Sequence, residues 1–125
     1  MADKKILIAE DSSVLQNLIK KILIQDGNYD IQAVKNGKAV LDKLAKDKFD
    51  LLLLDINMPQ LNGVECAKQI RAGAGDNVQI PIVAITGNAM NMSDEDFKAV
   101  GINEYVPKPI DFDKLVSVVR SFLVD

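Results

Sequence analysis

Leu51-Leu52-Leu53-Leu54-Asp55-Ile56-Asn57-Met58-Pro59 is the stretch whose reading decides the fold. Four consecutive leucines suit a strand buried on both faces, as in a parallel sheet, better than a half-wet strand of alternating polarity. The run then closes on a carboxylate. Pro59 cannot donate to a sheet ladder and biases Met58 away from helix, so a loop begins there. Asp55 is therefore expected where an apolar strand emerges at the rim of a sheet, and in open α/β sheets the carboxyl-end rim is where ligands and chemistry gather. A lone aspartate after a strand is more ordinarily a turn cap; other residues that can reach the same rim shift the balance here.

Upstream of that stretch, Ile6-Leu7-Ile8-Ala9 is a short apolar run ending on Glu10-Asp11. Ser12 or Ser13 opens a helix in which Val14, Leu18 and Ile22 make one apolar row and Leu15, Ile19 and Leu23 the next. Lys20 and Lys21 suit its last turns, and Asp26-Gly27-Asn28 stops it. Residues 29–34 alternate as a second strand, and Asn36-Gly37 turns into a second helix striped by Ala39, Val40, Leu41 and Leu44. The third strand is expected over 49–55. Downstream, 63–71 reads as a helix through Val64, Ala67 and Ile70, broken at Gly73-Ala74-Gly75, and 80–86 reads as a fourth strand closing on Thr86. Ser93 looks like an N-cap, with Asp96 a shorter capping-box partner than the usual Glu or Gln, for a brief helix that reaches Val100 and is capped by Gly101. Residues 104–106 make a fifth strand, Pro107-Lys108-Pro109 a rigid turn, and Asp111 caps a last helix carrying Leu115, Val118, Val119 and Phe122.

Strand and helix alternate five times, which predicts one α/β domain over 1–125: a parallel sheet with helices on both faces, of the (βα)5 kind. Right-handed crossovers restrict the possible orders, and 2-1-3-4-5 is the commonest fit at this length. Strands 1 and 3 then adjoin where the winding reverses, so that Glu10 and Asp11 face Asp55 across the crevice.

Composition excludes several alternatives. A net charge of −3 offers no broad footprint for nucleic acid or for an anionic membrane surface. The apolar runs are too short to span a bilayer, and Met1-Ala2-Asp3-Lys4-Lys5 leads straight into a strand without a signal-peptide core, so a cytoplasmic location is expected. The single cysteine, Cys66, allows no internal disulfide or thiolate cluster and is expected to pack in a helix. With no histidine in the chain, Ser-His-Asp and Cys-His mechanisms, His-ligated zinc and a phosphohistidine of its own are all excluded. The remaining chemistry belongs to carboxylates, lysine, hydroxyls and backbone.

Three carboxylates gathered at one rim repel one another unless something positive joins them. Each could instead be solvated separately, but a hard divalent cation accounts for all three together: magnesium takes octahedral oxygen ligands and keeps several waters. Asp11 and Asp55 are the expected direct ligands, Glu10 acts directly or through water, and Asn57 contributes its backbone carbonyl. Lys108, pinned between two prolines past the fifth strand, supplies a second positive centre, although a solvated loop lysine is the commoner case. Thr86 ends the fourth strand with a hydroxyl, and Gly87 beside it lets a ligand approach closely. Together these are the parts for phosphoryl transfer to Asp55 as nucleophile, with the cation and Lys108 neutralising charge on the transferring oxygens and Thr86 hydrogen-bonding to them.

Four motifs carry a resemblance to a known family: Glu10-Asp11 after the first strand; Asp55-Ile56-Asn57-Met58-Pro59 with Gly63 following; Ala84-Ile85-Thr86-Gly87; and Lys108-Pro109. Each is weak alone, but at these spacings the chain resembles, over nearly its whole length, the receiver domain of two-component response regulators, the family of the chemotaxis response regulator. That family is itself a type example of the 2-1-3-4-5, flavodoxin-like order, so the order expected above is not independent of the resemblance. The resemblance implies that Asp55 is the phosphoacceptor, that Glu10 and Asp11 belong to a magnesium site, that Thr86 and Lys108 sense the phosphoryl group, and that the Lys108-Pro109 bond is cis. It makes Tyr105 an aromatic switch that swings inward as Thr86 moves, reshaping the surface of the fourth helix, fifth strand and fifth helix; a fixed, half-buried strand aromatic is the competing reading. Asn57 and Asn88 fall at the variable positions flanking the pocket, and Gly87 stands where alanine is frequent. The wording from Ala84 to Met90 resembles receivers of hybrid kinases and phosphorelays more than those of transcription factors.

On this resemblance the chain is expected to be a signalling switch, an enzyme only toward its own phosphorylation and dephosphorylation. A histidine kinase or histidine phosphotransfer protein would be the donor. Output would go to a downstream protein without direct DNA binding or membrane contact, and a phosphorylation-linked dimer is a further expectation. The start at Met1 favours a stand-alone protein, and the end soon after the last helix leaves a receiver excised from a longer chain open. Two other classes share parts of the pattern. A flavin module needs a hydroxyl- and glycine-rich phosphate loop where Glu10-Asp11 stands, and an aspartyl phosphatase of the haloacid dehalogenase kind needs Asp-x-Asp where this chain has Asp55-Ile56-Asn57.

Overall fold

The computed structural model of the chain describes residues 4–56, 62–73, 75, 77–87 and 93–123. Strands and helices alternate as β1 (Lys4–Ala9), α1 (Ser13–Asp26), β2 (Tyr29–Val34), α2 (Gly37–Lys46), β3 (Leu51–Asp55), α3 (Gly63–Ala72), β4 (Ile82–Thr86), α4 (Asp94–Ala99), β5 (Glu104–Pro107) and α5 (Phe112–Leu123). The five strands form one parallel sheet in the order β2-β1-β3-β4-β5, as the alternation and the commonest winding predict.

The leucine run does what a doubly buried strand must. Leu52 and Leu54 enter the core beneath α2, α3 and α4, with Leu7, Ile82, Ala84, Val40, Ala67 and Phe97. Leu51 and Leu53 enter the opposite core beneath α1 and α5, with Ile6, Ile8, Val83, Ile19, Leu115 and Val119. All four leucines are fully buried, and each such burial contributes about 2 kcal/mol relative to exposure. Cys66 packs in the first of these cores, its thiol pushed up to about 12 by burial, so it is packing and not a nucleophile.

The caps expected at Ser12, Ser93 and Asp111 form, and Asn36 and Asn62 cap α2 and α3 as well. Ser12, Asn36 and Ser93 accept from backbone N–H groups at the starts of α1, α2 and α4, and Asp111 Oδ1 does so for α5. The short Asp96 does complete a capping box: its carboxylate accepts from Ser93 N–H at 2.9 Å while Asp96 N–H donates to Ser93 Oγ at 3.2 Å. Three expectations shift. β3 starts at Leu51, not at residue 49, because the Phe49 N–H goes to Asn77 Oδ1 rather than into the ladder. β4 starts at Ile82, not at residue 80: the Ile80 N–H closes a turn onto Asn77, and Pro81 has no N–H to give. On α1, Ile19 and Leu23 face the core, whereas Val14 is 72% and Leu18 44% exposed.

Candidate functional site

Pairing of β1 with β3 sets Ala9 opposite Leu54, so the next residue of each strand, Glu10 and Asp55, come level at the carboxyl-end rim. Both are almost wholly buried, at 0% and 1% exposure, while Asp11 stands on the surface. Each of the three offers a carboxylate oxygen within 4.8 Å of the others. α3 closes against this tip because Gly63 lacks a side chain: a Cβ there would lie 2.7 Å from Asp55 O and Ile56 Cα, where Gly63 N–H now donates to Ile56 O at 2.9 Å.

From the far side, Lys108 reaches over the sheet end. Its Nζ lies 3.0 Å from Glu10 Oε1 and donates to Asp55 Oδ2 at 3.3 Å. The Lys108–Pro109 peptide is cis, as the resemblance implies. Lys108 N–H donates to the carbonyl of Thr86, itself buried at the end of β4, which ties β5 to β4 at the same rim. Gly87 follows on the surface, where a Cβ would rest 3.9 Å from the Lys108 side chain, so packing there would accept alanine as well.

Among the described residues, three carboxylates face one ammonium at this rim. Burial raises the Glu10 carboxyl above its ordinary value, and its hydrogen bond from Ser12 N–H and its ion pair with Lys108 do not reverse this. Burial would lower Lys108, but its bond with Glu10 and the charge of Asp55 outweigh it and hold the ammonium above its usual range. Glu10 Oε2 accepts from Ser12 N–H at 3.0 Å. Oε1 is the one buried side-chain oxygen or nitrogen among the described residues without an aligned hydrogen bond, Lys108 touching it only as an ion-pair contact. A buried anionic oxygen left this way, within an all-oxygen donor set, fits a hard divalent cation.

The structure thus brings Glu10, Asp11, Asp55, Thr86, Gly87 and Lys108 to one rim. Tyr105 stands one strand repeat farther in, half-buried, its ring stacked on Phe97 at 5.0 Å with the Lys114 ammonium 5.7 Å from its centroid. Asn57, Met58, Pro59 and Asn88 lie outside the described residues. Sequence reasoning did not find Gln16, Gly63's close approach, or the Ser12 N–H that holds Glu10. A separate groove lies between α1 and α5 beside Ile22, Asp26, Val116 and Arg120, at the opposite end of α1 from the acids.

Comparison with known proteins agrees with this geometry. A profile of the response regulator receiver domain family matches residues 6–120, and the chain belongs to that family. It is 39% identical, over 97% of its length, to a segment making up 7% of hybrid signal transduction histidine kinase I of Dictyostelium discoideum. It spans about half (52%) of the response regulator ArlR of Staphylococcus saprophyticus at 34% identity. It also matches, at 30% identity and 98% of both chains, the polar-differentiation response regulator DivK of Brucella anthropi. Among solved structures, the receiver domain of a Pseudomonas aeruginosa sensor histidine kinase, which has magnesium coordinated in its active-site cleft, superimposes with a TM-score of 0.85 at 29% identity, covering 97% of this chain and 98% of that one. No helix among the described residues is long and apolar enough to cross a membrane.

Proposed function

We propose that the chain is a single receiver domain that works as a phosphorylatable switch, with Asp55 as the phosphoacceptor. The observation that carries this is the buried pair Glu10–Asp55 at the strand tips, sharing one lysine and leaving a carboxylate oxygen without an aligned partner. Glu10, Asp11 and Asp55 would hold magnesium, with Asn57 supplying a carbonyl; the ion's chemistry is to neutralise phosphoryl oxygens that would otherwise be repelled by the acids. An Asp55 carboxylate oxygen attacks phosphorus. The bond from phosphorus to the donor's imidazole nitrogen breaks, and its electron pair leaves with that nitrogen. On this reading the Lys108 ammonium, which already bonds Asp55, meets a transferred oxygen, and the Thr86 hydroxyl and Gly87 N–H are the further donors to it.

The donor on this reading is the phosphohistidine of a histidine kinase or phosphotransfer protein in the cytoplasm, and the output is a changed protein contact or a phosphorylation-linked dimer. Tyr105 is the proposed reporter of the change: its place between β4 and Phe97 links movement of Thr86 to α4.

Incubation with acetyl phosphate and magnesium should add one hydroxylamine-labile phosphoryl group, read by intact mass, and Asp55→Asn should abolish it. A wild-type chain that stays unmodified, or a variant that is still modified, would sink the assignment.

A further inference from the structure

Neighbouring residues of an extended chain point to opposite sides, yet Glu10 and Asp11 both bring a carboxylate oxygen to the same small volume as Asp55. For this the backbone has to turn at the peptide joining them. Gln16, on the first turns of α1 and buried, reaches back to that peptide: its Nε2 donates to Glu10 O at 2.6 Å and to Val34 O at 2.8 Å. A side-chain amide nitrogen has two hydrogens, and both are used.

The Glu10 carbonyl belongs to the Glu10–Asp11 peptide, so the bond fixes the plane from which Asp11 departs. The neighbouring bonds lock the rest of the turn. Glu10 N–H donates to the same Val34 oxygen at 3.1 Å, extending the β1–β2 ladder by one residue, and Gln16 N–H donates to Ser12 O at 2.9 Å. Glu10 has Ser12 N–H and Lys108 to hold its carboxylate. Asp11, on the surface, takes its direction from the peptide that Gln16 grips.

We propose that Gln16 is the positioning residue of the acidic rim, its buried amide turning the Glu10–Asp11 peptide so that two adjacent carboxylates converge with Asp55 on one cation. This rests on the reading that the rim binds a divalent cation. A group that orients metal ligands without touching the metal typically changes affinity by about 10–100-fold.

Magnesium binding is measured by isothermal calorimetry on the unphosphorylated chain, so that activity is not the readout. Gln16→Met keeps side-chain length and removes both donors; Gln16→Asn keeps the amide but withdraws it by one methylene. Both should weaken magnesium by about tenfold. In an Asp11→Asn background, Gln16→Met should add less than about twofold, because the ligand that Gln16 aims is already lost. Asn77→Ala, which removes a polar clasp at the other end of the sheet, serves as the control for general destabilisation and should leave magnesium affinity unchanged.

Wild-type affinity in both Gln16 variants, or losses that multiply in the Asp11→Asn background, would overturn the proposal while leaving the cation site standing. A wild-type chain that binds no magnesium would overturn the cation reading itself, and this inference with it.

Discussion

At the end of the sheet where the strands begin, Asn77 accepts from Phe49 N–H and gives both amide hydrogens, at 2.7 Å each, to the carbonyls of Leu44 and Asp47. Beside it Arg71 donates to the carbonyls of Val78 and Gly101 and to Asn103 Oδ1, and burial lowers its guanidinium from the ordinary value. At the end where the strands finish, Glu10 and Asp55 are buried just as deeply, both pair with the Lys108 ammonium, and among the described residues Glu10 Oε1 has no aligned donor. One pole spends its buried polar groups on backbone partners that hold loops in place. The other keeps charge only partly compensated. Since an unmet buried polar group costs free energy, a rim like this persists where a ligand completes it.

Breaking each pole should therefore give different symptoms. The largest expected effect is at Lys108. Lys108→Met removes the ammonium that the proposed reaction sets against the transferring oxygens and should slow phosphorylation from acetyl phosphate about a hundredfold at saturating magnesium, measured by intact mass against time. A rate near wild type would take Lys108 out of the chemistry.

Next comes Asn77→Ala, which orphans the Phe49 N–H and two carbonyls and should cost about 2 kcal/mol in urea unfolding. The same variant should phosphorylate at the wild-type rate. A change there would erase the contrast between the poles.

The smallest effect is a pH dependence. The folded Glu10 carboxyl titrates above its ordinary 4.5, so protonation favours the folded chain. Its contribution is whole below pH 4.5 and is lost as pH rises through the raised value. Urea stability without magnesium should carry this decline in the wild type, and Glu10→Gln should flatten it. Equal slopes in the two chains would mean that burial does not disfavour the Glu10 charge.

Most of the architecture was legible because its signals are local. The leucine run, the strand-closing acids and the caps at Ser12, Asn36, Ser93 and Asp111 each sit where short-range chemistry puts them. The rim was legible because parallel strands align their tips, so residues that close strands must meet. The face of α1 was not. Val14, Leu18 and Ile22 form as good a helical row as Leu15, Ile19 and Leu23, and periodicity cannot choose between them. Gln16 lies on the same face as Ile19 and Leu23, its amide on the Glu10 and Val34 carbonyls, while Val14 points out. A glutamine in the first turn of a helix carries no sequence signal for such a contact, and the strand starts at Leu51 and Ile82 were blurred for the same reason, since Asn77 acts across 28 residues on Phe49.

The leucine strand has a mechanical consequence. Asp55 rides on the segment with dense packing against both of its faces, and a protein interior packed that way yields little to compression. On the proposed reading, volume or charge added at its carboxylate would meet an anvil, not a spring. The recoil would fall on what borders that carboxylate at the rim, Lys108 foremost, which bonds it directly.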